Sequence, residues 1–578
     1  MTRPVNFTDY SSSKLVATAI SGFWSQYNNS RVKALDNWKE VDLYRFATDT
    51  RDLKGGNNFD HSMHTPAVHM IDEKLGSILN ATAFPHEDWL GWEPLDRTGI
   101  SKDKRDKVLA YLKKIHSLTG FTRIGKKSLD DLRAYGNAFL QTAMVDESKV
   151  VDGQVVAGYI GPKTHRISPY DIIFDPTAPS FDDSFKIVRQ RMTVGEFARF
   201  AKNFPESVDQ EVVKGILLRR TGTGDSVTSN DYFKDAQFTA QGFDSLTSYF
   251  RSGYVDLLFF YGSIFDEASL EVIDDRCIII ADYGDVVSNY SCPESRIRKG
   301  GWKERGDNLW SQGPLEPIIG LNYMINHRQN AKNDAIDRMI NPDELYIGEP
   351  EIIYDDSTGR REIWAPVGGD ARDIAPDSST LSFNTEIELI QQDIVQSVGL
   401  PSDVLGFRSP GEKTAFEVQN LTEGAFRGFI DKVAQYEQDC IEKVIKDQIA
   451  IAIQNFQAVA TVLSADNDGI RTVMTVTKED LEANAQIQPR GSRRFTRMLQ
   501  QLAGIQSMSQ LHPIIAGHVN SYNLAKAISE LSGLEEYGII SKFAAIDEQG
   551  EAEKRSMLVQ QDLVQSMEQE TPTEMGME

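Results

Sequence analysis

Apolar positions recur through the first fifty residues at close to the helical period. Leu15, Ile20, Phe23, Trp24, Tyr27, Val32, Leu35, Trp38, Val41 and Leu43 predict one helical stretch over 14–47. The same spacing predicts helices over 66–83, 102–117 and 125–135. Alternating or continuous apolar runs then take over. They predict strands at Ala138–Val145 and Asp171–Phe174, and a β-rich stretch over 253–294 that includes Val255–Tyr261 and Cys277–Ile280. Between these, residues 220–247 are polar and rich in Gly, Thr and Ser, which predicts an exposed loop or insertion. No repeat of solenoid or propeller length is visible.

The middle of the chain has a distinct order. After Gly313-Pro314, apolar positions from Leu315 to Ile340 predict a helix ended by Asn341-Pro342. A helix of this span is a rod on the order of 39 Å long. Glu351–Tyr354 and Arg361–Trp364 flank the turn Asp355-Asp356-Ser357-Thr358-Gly359 and predict a hairpin. A second helix is expected from about Asn384, with Thr385 and Glu388 at capping-box spacing, ending at Val398-Gly399-Leu400-Pro401. A glycine- and proline-rich linker runs from 399 to 413. Residues 414–456 then predict a helix on the order of 60 Å long, with Gly424 and Gly428 as its weak point. On periodicity alone, the first helix suits a radially packed stalk as well as the interior of a larger helical domain.

This order resembles that of the portal, or head-to-tail connector, proteins of tailed double-stranded DNA phages, of the podovirus type. Trp310-Ser311-Gln312-Gly313-Pro314-Leu315-Glu316-Pro317 is similar to the family's entry into its first stem helix. Gly399-Leu400-Pro401-Ser402-Asp403-Val404-Leu405-Gly406, followed by Lys413-Thr414-Ala415-Phe416-Glu417-Val418, resembles the tunnel loop and the start of the next helix. The likeness is strongest over 310–456 and is one of architecture elsewhere.

The resemblance implies an α+β fold, predominantly helical, assembled as a ring. It assigns 1–314 to a wing, 315–340 to a descending stem helix, 341–382 to a clip and 383–398 to a returning stem helix. Residues 399–413 become the tunnel loop and 414–488 a long wing helix with a β segment. Residues 489–547 form a crown, and 548–578 a C-terminal helix and acidic tail. The implied role is a structural subunit, usually one of twelve, forming the channel for genome packaging and ejection at the capsid vertex. The implied partners are terminase, then tail adaptor proteins, with capsid and scaffolding proteins around the ring and transient, non-specific contact with the DNA duplex. The implied location is the virion, with assembly in the host cytoplasm. No cofactor is expected.

Charge adds a constraint. The chain of 578 residues carries 61 basic and 85 acidic side chains, a net charge of −24. A protein that grips DNA through its phosphates needs the opposite excess, so tight sequence-specific binding to nucleic acid is disfavoured. A mostly acidic wall with few cations would let a duplex slide. Arg408 and Lys413 in the tunnel loop are candidates for passing contacts, and are equally well ordinary solvated charges. Arg490, Arg493, Arg494 and Arg497 fall largely on one helical face at the start of the crown, where subunit salt bridges and DNA contact are both open. The cluster Arg296, Arg298, Lys299, Lys303 and Arg305 reads as a solvated loop.

Chemistry is sparse. Gly120-Phe121-Thr122-Arg123-Ile124-Gly125-Lys126-Lys127 approaches a phosphate-binding loop, but Lys127 stands where a hydroxyl is needed and helix precedes it where a strand is needed. His61, His64 and His69 lack the partners of a metal site, and Asp274-Asp275 and Asp355-Asp356 read as turns. Cys277, Cys292 and Cys440 are too dispersed for a disulfide framework or a zinc site. The opening residues lack the apolar run of a signal peptide, and no membrane span is expected. No catalytic or metal-binding residue is assigned. Another oligomeric virion or tail component, or a soluble enzyme of unrecognised chemistry, are the alternatives.

Overall fold

The computed structural model describes residues 2–48, 67–84, 89–94, 102–147, 149–151, 154–156, 158–205, 207–222, 232–244, 246, 253–340, 343–348, 351–355, 360–364, 370–374, 383–398, 428–455, 460–465, 471–482 and 485–489. The fold mixes helix and strand, with helix the larger share of regular structure. The chain divides into two units. One comprises Met1–Ala458 with Thr477–Ser492, the other Val459–Val476 with Arg493–Glu578.

The first unit opens with β1 (Val5–Phe7), α1 (Ser13–Ser30), α2 (Val32–Arg45), α3 (Ala67–Ala83), β2 (Leu90–Pro94), α4 (Lys102–Thr119) and α5 (Phe121–Tyr135). Next come β3 (Asn137–Asp146), the short pair β4 (Lys149–Val151) and β5 (Gln154–Val156), β6 (Ile160–Ile167), β7 (Ile172–Phe174) and β8 (Lys186–Thr193). Three helices follow: α6 (Val194–Asn203), α7 (Gln210–Gly222) and α8 (Tyr232–Ala240). Strands β9 (Tyr254–Asp266), β10 (Glu271–Ala281), β11 (Asp285–Ser291), β12 (Ile297–Gly301), β13 (Lys303–Arg305) and β14 (Asn308–Gln312) lead to the middle region.

The main sheet has the order β11-β10-β9-β8-β7, all antiparallel, and β1 joins β9 in parallel through Val5↔Ile264 to Phe7↔Asp266. Its strands read as near-continuous apolar runs because both faces are covered. Leu258, Phe260 and Ile264 meet Val16, Ala17, Ile20 and Trp24 of α1 on one face. Val255 and Leu257 meet Phe197, Ala201, Val213 and Ile216 of α6 and α7 on the other. Burying a side chain such as Phe260 completely stabilises the fold by about 2–3 kcal/mol. A second sheet, β12-β3-β6, lies under the long helix described below.

Several expectations are corrected. The stretch 14–47 is two helices: the amide of Arg31 bonds back to Asn28 while Arg31 starts α2. Within 220–247, residues 223–231 lie outside the described residues, while 232–240 are not loop but the helix α8, which packs on α2. Its anchors are polar: Gln241 donates to Asp42 (3.2 Å), Gln237 to the Tyr135 hydroxyl (3.0 Å), and Lys234 to Asp171 (2.8 Å). A helix held by such bonds leaves little apolar period in its sequence. Asp274-Asp275 is a bulge within β10, where the register shifts between Ile273 and Arg276, and not a turn. Part of the basic cluster is not a solvated loop either, although Lys303 and Arg305 are exposed. Ile297–Gly301 is a strand paired with β3, and Lys299 is buried enough to lower its ammonium pKa.

The middle region consists of α9 (Ile319–Ile340), β15 (Asp343–Ile347), β16 (Glu351–Asp355), β17 (Arg360–Trp364), β18 (Asp370–Ile374) and α10 (Phe383–Val398). Thr385 lies inside α10, so the expected cap at Thr385 and Glu388 does not start the helix. A further helix, α11, spans 428–455 and contains a π-turn at Glu437–Ile441. That turn, rather than Gly428, is its described irregularity; Gly424 lies outside the described residues. The first unit closes with Thr477-capped Lys478–Leu481 and a strand, Ala485–Pro489, antiparallel to β2. The second unit is described only as an antiparallel hairpin, Ala460–Ala465 with Arg471–Val476.

Candidate functional site

The helices α9 and α10 form an antiparallel hairpin. Arg328 Nε lies 3.2 Å from Glu386 Oε2, and Lys332 Nζ donates to Asn384 Oδ1 at 2.7 Å. The pairing order, 328 with 386 and 332 with 384, reverses along the two chains. One face of α10, Ile387, Ile390 and Ile394, is buried, while α9 buries Asn322 and Ile325 near its start. Two ladders nest between the helices. Asp343–Ile347 pairs with Asp370–Ile374, and inside that, Glu351–Asp355 pairs with Arg360–Trp364 as the sequence predicts. The chain therefore runs along one helix, forms two short ladders and runs back antiparallel along the next.

The root of this hairpin is pinned by the segment whose wording resembles a stem entry. Asn137 is fully buried, and its side-chain amide donates to the carbonyls of Tyr135 and Ser311 at 2.9 Å each. Its Oδ1 accepts from the Ser311 amide, also at 2.9 Å. Gly136 holds φ at 71°, and a Cβ there would meet the backbone carbon of Gln312 at 2.4 Å. Only glycine permits both that conformation and that approach. Trp310 packs on Phe174 (4.4 Å between ring centres) and on Trp38 (5.6 Å), with the Arg31 guanidinium 5.1 Å from its ring. Leu315 and Ile318 are fully buried beside it. Glu316 accepts from Trp38 Nε1 (3.3 Å) and from the Gly313 amide (3.4 Å), and burial pushes its carboxyl pKa up.

A second anchor fixes α11 on the small sheet. Arg298 donates from Nε and Nη2 to both oxygens of Asp447, at 2.8 and 2.7 Å. It also pairs with Glu294 and with Asp182. Gln448 donates to Thr164 (2.9 Å), and its Oε1 lies 2.8 Å from Nε2 of His116. His116 stacks on Phe121, and burial lowers its pKa to about 4. Tyr436 hydrogen-bonds Ser128. These polar ties set the position of the long helix relative to the hairpin root, and no apolar period announces them.

Of the residues named from sequence, Arg408, Lys413, Arg490, Arg493, Arg494 and Arg497 lie outside the described residues. So do the proposed tunnel loop, crown and acidic tail, and His61 and His64. His69 is on α3, its Nδ1 2.5 Å from the Arg45 carbonyl. Gly120 is a left-handed joint between α4 and α5, and its carbonyl already accepts the Arg123 and Ile124 amides. Helix on both sides leaves no strand-to-helix phosphate cradle. Burial pushes the Cys277 and Cys440 thiols up to about 12. Among the described residues, no group of three or more His, Cys, Asp or Glu is arranged to hold a metal, and no helix is long and apolar enough to cross a membrane. Sequence reasoning missed Asn137 and Asp447, and took Arg298 for a solvated loop charge. The one signal for the first was its position straight after the glycine that ends α5. Compared with known proteins, the chain matches no family model and no curated protein.

Proposed function

We propose that the chain is the ring-forming subunit of a portal, the conduit through which the genome of a tailed double-stranded DNA phage is packaged and ejected. The observation that carries this reading is the hairpin of α9 and α10 with its nested β module, rooted by Trp310–Glu316. It follows the stem–clip–stem order that the wording of 310–456 resembles. The hairpin also leaves Tyr323 62% and Leu389 56% exposed, with Met324 at 47%. A solitary rod would leave these side chains to water, whereas packing against neighbouring copies covers them.

The clip would dock terminase during packaging and tail adaptor proteins afterwards, while the wing meets capsid and scaffolding proteins. Charge supports a conduit over a grip. The α10 helix carries Glu386, Glu388 and Asp393 and no Lys or Arg, within a chain of net charge −24. A wall of that composition offers phosphates few cations at which to stop. In this reading the chain performs no catalysis, and the packaging force comes from its partner.

Negative-stain microscopy and native mass spectrometry of the purified full chain test the proposal. The expected result is closed rings with a central hole, dodecamers being the expected count. Monomers or open filaments would overturn it. In assembled particles, deletion of Leu400–Gly411 is expected to impair packaging or retention of DNA. Normal packaging by that deletion would remove the tunnel-loop assignment.

A further inference from the structure

Two features at opposite ends of α1 complement each other. At its C-terminal end, the α1–α2 corner and the β13–β14 hairpin enclose a cleft of about 310 Å³. Tyr27, Pro176 and Trp310 place aromatic and apolar surface in a lining that is otherwise largely polar, with Arg31 over the Trp310 ring and the exposed cations Lys33 and Arg305 among the lining residues. Glu316 is the one carboxylate among the described lining residues, and it already accepts from Trp38 and Gly313. The side chains lining the cleft thus carry a net positive charge within a chain of net charge −24.

At the other end of α1 stands the turn between β9 and β10, Glu267-Ala268-Ser269-Leu270-Glu271-Val272. Leu270 is 75% exposed and Val272 52%, between the exposed carboxylates of Glu267 and Glu271. Asp266 stiffens the turn: its Oδ1 accepts from the amides of Tyr10 (3.1 Å) and Ala268 (3.3 Å), and its Oδ2 from the Ser269 hydroxyl (2.7 Å). Leu270 is held at φ 59°, a conformation leucine rarely adopts. The result is a rigid knob with an apolar tip and two negative flanks.

We propose that the knob of one copy of this chain seats in the cleft of the next, with Leu270 against Tyr27 and Trp310 and with Glu267 and Glu271 facing Lys33 and Arg305. The α1 helix separates the two features by about 27 Å, so they cannot meet within one chain. Such a contact is head-to-tail, and it closes into a ring when the rotation per copy closes. It rests on the ring reading in one respect: it names the contact between neighbours.

Charge reversal tests it in the full chain. Glu267→Lys with Glu271→Lys, and separately Lys33→Glu with Arg305→Glu, each set like charges face to face. Sedimentation velocity is expected to show at least tenfold weaker association for each, with melting curves like the wild type. The chain carrying all four reversals, or an equimolar mixture of the two double variants, is expected to assemble again. Leu270→Asp is expected to weaken association with no rescue by either route. The contact is overturned if either double variant assembles like the wild type, if the four-fold variant stays dissociated while folded, or if the wild type is monomeric. Wild-type rings that survive reversal would leave the portal reading standing without this contact. Charge-dependent oligomers that never close would leave the contact standing without the portal.

Discussion

Asn137→Ala removes three buried hydrogen bonds at the root of the α9–α10 hairpin. The amide of Asn137 donates to the Tyr135 and Ser311 carbonyls and accepts from the Ser311 amide, and the residue is fully enclosed. Alanine leaves those backbone groups without the amide, in a space too closed for bulk water. With each such loss at about 1–1.5 kcal/mol, the expected destabilisation is about 3–5 kcal/mol. Urea unfolding followed by tryptophan fluorescence reads it as a lower midpoint at unchanged slope. Hydrogen exchange adds a local measure, since the Ser311 amide should lose its protection. Asn137→Asp is expected to cost more than alanine: it keeps an acceptor for the Ser311 amide but turns a carboxylate oxygen toward two carbonyls. A loss below about 1 kcal/mol with Ser311 still protected would refute the anchoring argument.

Three other outcomes follow from the same geometry. Gly136→Ala should cost at least about 1–2 kcal/mol through its positive φ alone, and more through the approach to Gln312, read as a drop in Tm. Arg298→Met strands Asp447 against the small sheet and should cost about 3–5 kcal/mol, with Asp447→Asn in the same chain recovering part of it; full stability of the single variant would contradict the pairing. His116 is held neutral, so its folded pKa of about 4 lies below its ordinary 6.5. Its contribution is complete above pH 6.5 and declines as pH falls toward 4, by about 3 kcal/mol in all. Denaturation midpoints against pH should show that slope in the wild type and lose it in His116→Phe.

Much of the architecture was legible because apolar period and burial coincide. The runs Tyr254–Asp266 and Cys277–Ala281 are apolar on both faces, and the structure covers both. The hairpin Glu351–Trp364 and the helices on either side of Gly120 were readable from turn chemistry and spacing. The break at Ser30-Arg31 was hidden, because the apolar phase carries on from α1 into α2. Helix α8 was hidden for the opposite reason, since Lys234, Gln237 and Gln241 hold it by polar bonds that leave no stripe. Strand β12 looked like a charged loop, because the carboxylate that takes both donors of Arg298, Asp447, lies 149 positions further along the chain. At the candidate site, the wording of Trp310–Glu316 marked the place. Its attachment to Asn137 depends on residues some 174 positions apart, which no local pattern encodes.

The parallel pairing of β1 with β9 has a consequence for how the protein is made. Val5 meets Ile264 in the finished sheet, so the first strand emerges from the ribosome about 260 residues before its partner. At ~5–20 residues per second it waits on the order of 13–50 s. Leu90–Pro94 waits longer still, for Ala485–Pro489. The whole α9–α10 hairpin is synthesised inside that second interval, and its own ladders close between near neighbours. Nascent chains can therefore close the α9–α10 hairpin while β2 still lacks its partner, and the end of β9 that pairs with β1 stays open to wrong strands until Phe7 is in place.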